Sequence, residues 1–75
     1  MIVAFVIFER NFPSMYHARF LDEEECKKEV ARLNENAARH NRKVREHPAT
    51  GRGSAFLNME QEENRWSYNR MEFPQ

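Results

Sequence analysis

At 75 residues the chain reads as one small domain spanning residues 1–75. A chain this short buries only about 60% of the surface it exposes when unfolded, so modest stability is expected. Apolar residues at 40% and aromatics at 12% suffice for a core, and 32% charged residues keep the remainder well hydrated, which argues against a disordered tail. Twelve basic and twelve acidic side chains cancel, against both a wholly basic nucleic-acid binder and a wholly acidic DNA mimic. The single cysteine, Cys26, cannot form an internal disulfide and fits a reducing cytosol.

The first element is an unbroken apolar run, Ile2–Phe8, read as a strand ending near Glu9. Alternation points Ile2, Ala4, Val6 and Phe8 to one side and Val3, Phe5 and Ile7 to the other. Strands apolar on both faces belong to sheets covered on both sides. The chain offers one long helix, so one face is in surplus. That surplus must meet a second copy, a partner or folded-back loops, and Val3, Phe5 and Ile7 are the candidate self-association surface, as in a homodimer. The run is too short for a signal peptide, lacks a basic leader, and no segment approaches the roughly 20 residues of a membrane span. A cytoplasmic protein with no membrane partner is expected.

Asn11-Phe12-Pro13-Ser14 carries turn chemistry, and Met15–Leu21 follows as a second strand of an antiparallel hairpin. The helix comes next. Asp22 is placed as N-cap with Glu25 three residues on, the spacing of a capping box, and Leu21 and Cys26 are placed for a hydrophobic staple. Cys26, Val30, Leu33, Ala37 and Val44 recur at helical spacing, with acidic residues crowding the start and basic residues the end, as the helix dipole favours. The pattern predicts a helix from Glu23 to about Lys43, stopping before Pro48.

His47–Ser54, with Pro48, Gly51 and Gly53, reads as a loop. Ala55–Glu60 and Arg65–Phe73 each support a strand. In the last strand Trp66 and Tyr68 share one face and Met71 and Phe73 the other, which suggests a bulge or a twist near Asn69-Arg70. The expected fold is therefore α+β: a small antiparallel sheet of about four strands in the order β-β-α-β-β, with one amphipathic helix on one face.

The residues supply little that resembles a catalyst. His17, His40 and His47 with Cys26 lack metal-ligand spacing, and no Ser-His-Asp order or paired catalytic acids stand out. Gly51-Arg52-Gly53 lacks the remainder of a phosphate loop. No cofactor and no metal are expected, and the chain is not read as an enzyme. Two surfaces compete as binding sites. Trp66 and Tyr68, flanked by Arg65 and Arg70, have the composition of an interface anchor or of a base-stacking strand, unless Trp66 simply pins the sheet to the helix. Arg39, Arg42, Lys43, Arg45 and Arg52 form a basic cluster that could follow phosphates, face an acidic protein, or merely complement a helix end. Partner-binding candidates are thus Trp66, Tyr68, Arg70, Arg42, Lys43, Arg45 and Arg52.

The stretch Arg19-Phe20-Leu21-Asp22-Glu23-Glu24-Glu25, followed by Val30-Ala31-Arg32-Leu33-Asn34 and later Trp66-Ser67-Tyr68, resembles a layout common in very small phage and mobile-element proteins. In those a short hairpin leads into an acidic-capped helix and then an aromatic-bearing strand. The resemblance covers about half the chain and carries over no functional residue. It implies a stoichiometric inhibitor that binds a host protein or ribonucleoprotein complex in the host cytoplasm, with anti-CRISPR proteins as one such group. The near-zero net charge departs from the acidic members that imitate DNA. A nucleic-acid-binding accessory protein using the 39–52 cluster and a homodimeric structural module are the rival expectations.

Overall fold

The computed structural model describes residues 1–74; Gln75, the last residue of the expected domain, lies outside the described residues. Strand β1 (Ile2–Glu9) is the centre of a three-stranded antiparallel sheet, with β2 (Phe12–Phe20) on one side and β3 (Trp66–Phe73) on the other. Helix α1 (Glu23–Glu46) lies across the sheet, and a single turn of helix, α2 (Ser54–Leu57), precedes β3. This is an α+β fold. The sheet has three strands where about four were expected.

The difference lies at Ala55–Glu60, which forms α2 and an extended tail instead of a strand. Its adjacent apolar residues, Phe56 and Leu57, never alternated cleanly. Gly53, at a φ of 80°, supplies the left-handed start that lets the chain enter the helical turn. The other helix runs to Glu46, one turn past the expected end, and the His47 N–H closes it on the Lys43 carbonyl at 2.8 Å, just ahead of Pro48.

At the N-terminus of α1 the Asp22 carboxylate accepts from the Glu24 N–H at 3.0 Å, the expected cap. The staple does not form: Leu21 is 73% exposed while Cys26 is fully buried. Strand β2 starts earlier than expected, at Phe12, after a tight turn at Arg10-Asn11. Its register slips twice, between Ile7 and Phe8 and between Phe8 and Glu9 of β1, so Tyr16 instead of His17 stands opposite Phe8. The irregularities therefore lie in β2. Strand β3 pairs with β1 without a slip from Ile2 opposite Phe73 to Glu9 opposite Trp66, and the bulge expected near Asn69-Arg70 is not there. Plain alternation explains its change of face: Trp66 and Tyr68 serve one side of the sheet, Met71 and Phe73 the other.

Register also decides which side α1 covers. Ile7 stands opposite Tyr68, and Phe5 touches the Tyr68 ring edge-on at 6.3 Å between centroids. The Tyr68 hydroxyl points to the Glu23 carboxylate of α1 at 3.5 Å. The face of Val3, Phe5 and Ile7 is thus the helix-covered one, with Ile7 wholly buried. The surplus face is the opposite one, carrying Ile2, Ala4, Val6 and Phe8. This corrects the assignment of Val3, Phe5 and Ile7 to a self-association surface. Among the described residues the buried apolar side chains are Ala4, Val6, Ile7, Cys26 and Ala37.

Candidate functional site

The site grows from the far end of α1. The apolar stripe through Cys26, Leu33, Ala37 and Val44 is interrupted at Asn41, which is 2% exposed. A buried amide must be satisfied. Asn41 Nδ2 donates to the Gln61 carbonyl at 2.7 Å and Oδ1 accepts from the Gln61 N–H at 2.7 Å, so one side chain grips both polar groups of one residue. Two turns earlier, Asn34 treats Trp66 the same way, donating at 3.2 Å and accepting at 3.1 Å. The third such grip is Asn58 on Ala49, at 2.9 and 2.8 Å, and it closes the 47–58 loop. His40 Nε2 donates to the Met59 carbonyl at 2.8 Å, which makes its Nε2–H tautomer the bonded one.

These bonds hold Met59, Gln61 and Trp66 to α1 by their backbone, while the apolar side chains of α2 and of Met59 stay outward. Phe56 is 78% exposed, Leu57 56% and Met59 62%, and Phe12 at the start of β2 lines the same cleft at 56%. Between them opens a cleft of about 520 Å³. Its rim carries Glu9, Glu60 and Glu62 against Arg65 and His40. Glu9 pairs with Arg65, and Glu60 with Arg45 at 2.6 Å. Glu62 accepts only from the neutral Asn11 amide, at 2.9 Å, and keeps its charge unopposed among the described residues. The cleft is apolar inside and net acidic at its edge.

The residues expected to bind a partner fall elsewhere. Trp66 and Tyr68 are half-buried between sheet and helix: the Trp66 indole rests 4.8 Å from the His17 ring and 5.2 Å from the Arg65 guanidinium. They hold the sheet to α1. Arg70 is exposed and sits beside Glu72 at 3.3 Å. In the basic cluster, Arg42 is paired with Glu35 at 2.9 Å, and Arg45 with Glu60 and with Glu63 at 3.6 Å. Lys43 and Arg52 make no ion pair among the described residues. The cluster is partly neutralised from within.

No reactive centre emerges around the remaining candidates. Burial pushes the Cys26 thiol up from its ordinary value, with Glu23 adding to the shift, so the thiolate is disfavoured. Among the described residues no group of three or more His, Cys, Asp or Glu side chains could hold a metal ion. None of their helices is long and apolar enough to cross a membrane.

The cleft residues were not singled out in the sequence, because Phe56, Leu57 and Met59 read as one more strand. A signal did exist: the helical stripe skips from Ala37 to Val44, and the missing position is Asn41. No family model, curated protein or solved structure matches the chain.

Proposed function

We propose that the chain is a non-catalytic binding protein whose cleft between the hairpin turn and α2 docks an apolar, basic-flanked segment of another protein. The observation that carries this reading is the exposed set of Phe12, Phe56, Leu57 and Met59 around one cavity. Large apolar side chains gathered on a soluble surface mark contact sites, whereas isolated ones need no explanation. The unopposed Glu62 at the rim selects a Lys or Arg beside the apolar anchor, since rim charges steer and orient while the desolvated centre supplies affinity. An inhibitor that occupies the surface of a host complex, as the resemblance to small phage proteins implies, is a concrete version of this role. Arg42 and Arg45 are already engaged by acidic neighbours, which weighs against a nucleic-acid role for the basic cluster.

Capture from host lysate tests the reading with two variants. Phe56→Ser with Leu57→Ser changes only exposed side chains and should abolish retention of the partner. Charge removal at Arg39, Lys43 and Arg52 should leave retention intact at moderate salt. Retention that survives the first variant, disappears with the second and falls steeply with added salt would establish phosphate binding instead.

A further inference from the structure

The two outer edges of the sheet differ. Along β2 the ladder to β1 slips twice and Pro13 lacks a donor, whereas β3 holds no proline and pairs with β1 without a slip. In an antiparallel ladder alternate residues turn both main-chain groups to the neighbouring strand, and the residues between turn theirs away. Trp66 shows which set faces outward on β3, because Asn34 holds both its N–H and its C=O. Arg65 belongs to the other set, with its carbonyl accepting from the Arg10 N–H at 2.8 Å. Tyr68, Arg70 and Glu72 therefore present their N–H and C=O groups outward, with no partner among the described residues. Asn34 closes the Trp66 end of this edge, while Arg70 and Glu72 toward the other end are exposed.

We propose that this edge pairs antiparallel with the same edge of a second copy, joining two three-stranded sheets into one. Unpaired main-chain groups along a regular edge are the template for another strand. Charge selects whose strand it is. A two-fold axis must set outward-facing residues opposite outward-facing residues. An axis at Asn69 brings Glu72 against Trp66, whose groups Asn34 already holds. An axis at Arg70 opposes that guanidinium to its own image, and an axis at Glu72 does the same with carboxylates.

An axis at Met71 sets Arg70 opposite Glu72 of the second copy, and Glu72 opposite its Arg70. Opposite charges directly across a ladder stabilise it and like charges oppose it. Within one chain the two side chains already lie 3.3 Å apart, so pairing gathers both ion pairs into one alternating cluster. The edge is its own complement in that register alone. The interrupted β2 then borders the joined sheet on both sides, and association closes at two copies. The cleft lies at the Glu9 and Arg65 end of the sheet and stays open.

Sedimentation from micromolar to millimolar concentration reads the outcome. The mass should rise toward twice the 9.1 kDa of one copy. Arg70→Glu should weaken self-association roughly tenfold, and adding Glu72→Arg should restore it, because the exchange regenerates the same opposed pairs. Arg70→Pro removes an outward N–H and no bond to β1, so it should leave a monomer whose circular dichroism is unchanged. Should that variant unfold, the charge exchange carries the test. Phe56→Ser should dimerise as the unaltered chain does. A monomer at every concentration overturns the proposal. So does a dimer that folded Arg70→Pro or Arg70→Glu leaves intact, or one that the double exchange fails to restore.

Discussion

Along its N-terminal half α1 meets the sheet by ordinary apolar packing, with Cys26 fully buried and Tyr68 and Phe5 on the facing side. From its middle onward it meets the returning chain through amides, Asn34 on Trp66 and Asn41 on Gln61. The two regions teach different lessons about what a helix can hold. Apolar packing is non-directional and resists unfolding in proportion to buried area. An asparagine that satisfies both polar groups of one residue adds modest net stability but fixes which residue sits there, because any slip leaves a buried amide unpaired. The first region makes the fold. The second region makes the register of the cleft.

That contrast should show most strongly in Ile7→Ala. Removing a wholly buried side chain from the central strand should cost about 2–5 kcal/mol and lower the melting temperature of every element together. Asn41→Ala comes next. Each buried polar group left unpaired costs about 1–3 kcal/mol, but the loss should be local. Hydrogen exchange should accelerate at Gln61 and its neighbours while β1 stays protected. Loss of protection in β1 as well would mean that the two regions unfold as one. Asn41→Asp sharpens the test, since it keeps the shape, removes the donor to Gln61 and sets a carboxylate beside Glu63, 3.2 Å from the present amide. It should open the segment at least as far.

Which parts of this were legible beforehand follows from the same contrast. An unbroken apolar run exposed β1, and turn chemistry, caps and apolar spacing exposed the hairpin, α1 and β3, because packing leaves its mark on residue type and spacing. It could not say which face of β1 the helix covers, since Ile2–Phe8 is apolar on both. The answer lay in the partner strand, where Trp66 and Tyr68 share the side of Ile7 and Glu9. Amide clamps leave no repeat. Asn34 and Asn58 look like ordinary surface residues of a helix and a loop, the gap in the apolar stripe at Asn41 was the one visible sign, and Phe56, Leu57 and Met59 beside the clamped segment were read as a strand.

Asp22→Ala should act on the first region alone. Losing the acceptor for the Glu24 N–H at the positive end of the helix should cost about 0.5–2 kcal/mol, seen as a lower melting temperature with unchanged exchange at Gln61. The smallest effect is acidic. Hydrogen bonds from Arg32 and Arg42 hold the Glu29 and Glu35 carboxyls below their ordinary range. Groups lowered on folding stabilise above their unfolded value and lose that contribution as pH falls through the folded one, so the loss belongs below about pH 4. Both pairs are exposed on α1, so the change should be slight and should fade with added salt. A large, salt-insensitive drop there would place the sensitive carboxylates in the cleft instead.

Strand β2 forms one outer edge of the sheet, and such edges are templates onto which other chains can zip by main-chain hydrogen bonds. Here Pro13 removes a donor, and two slips of register interrupt the ladder between β2 and β1. On this side of the sheet a newly made copy carrying the Ile2–Phe8 run meets no flat, regular border, whereas β3, the opposite edge, pairs with β1 without a slip. Association is diverted from indiscriminate backbone stacking to contacts that side chains can discriminate. The β2 side of the sheet is therefore a poor template for indiscriminate backbone stacking.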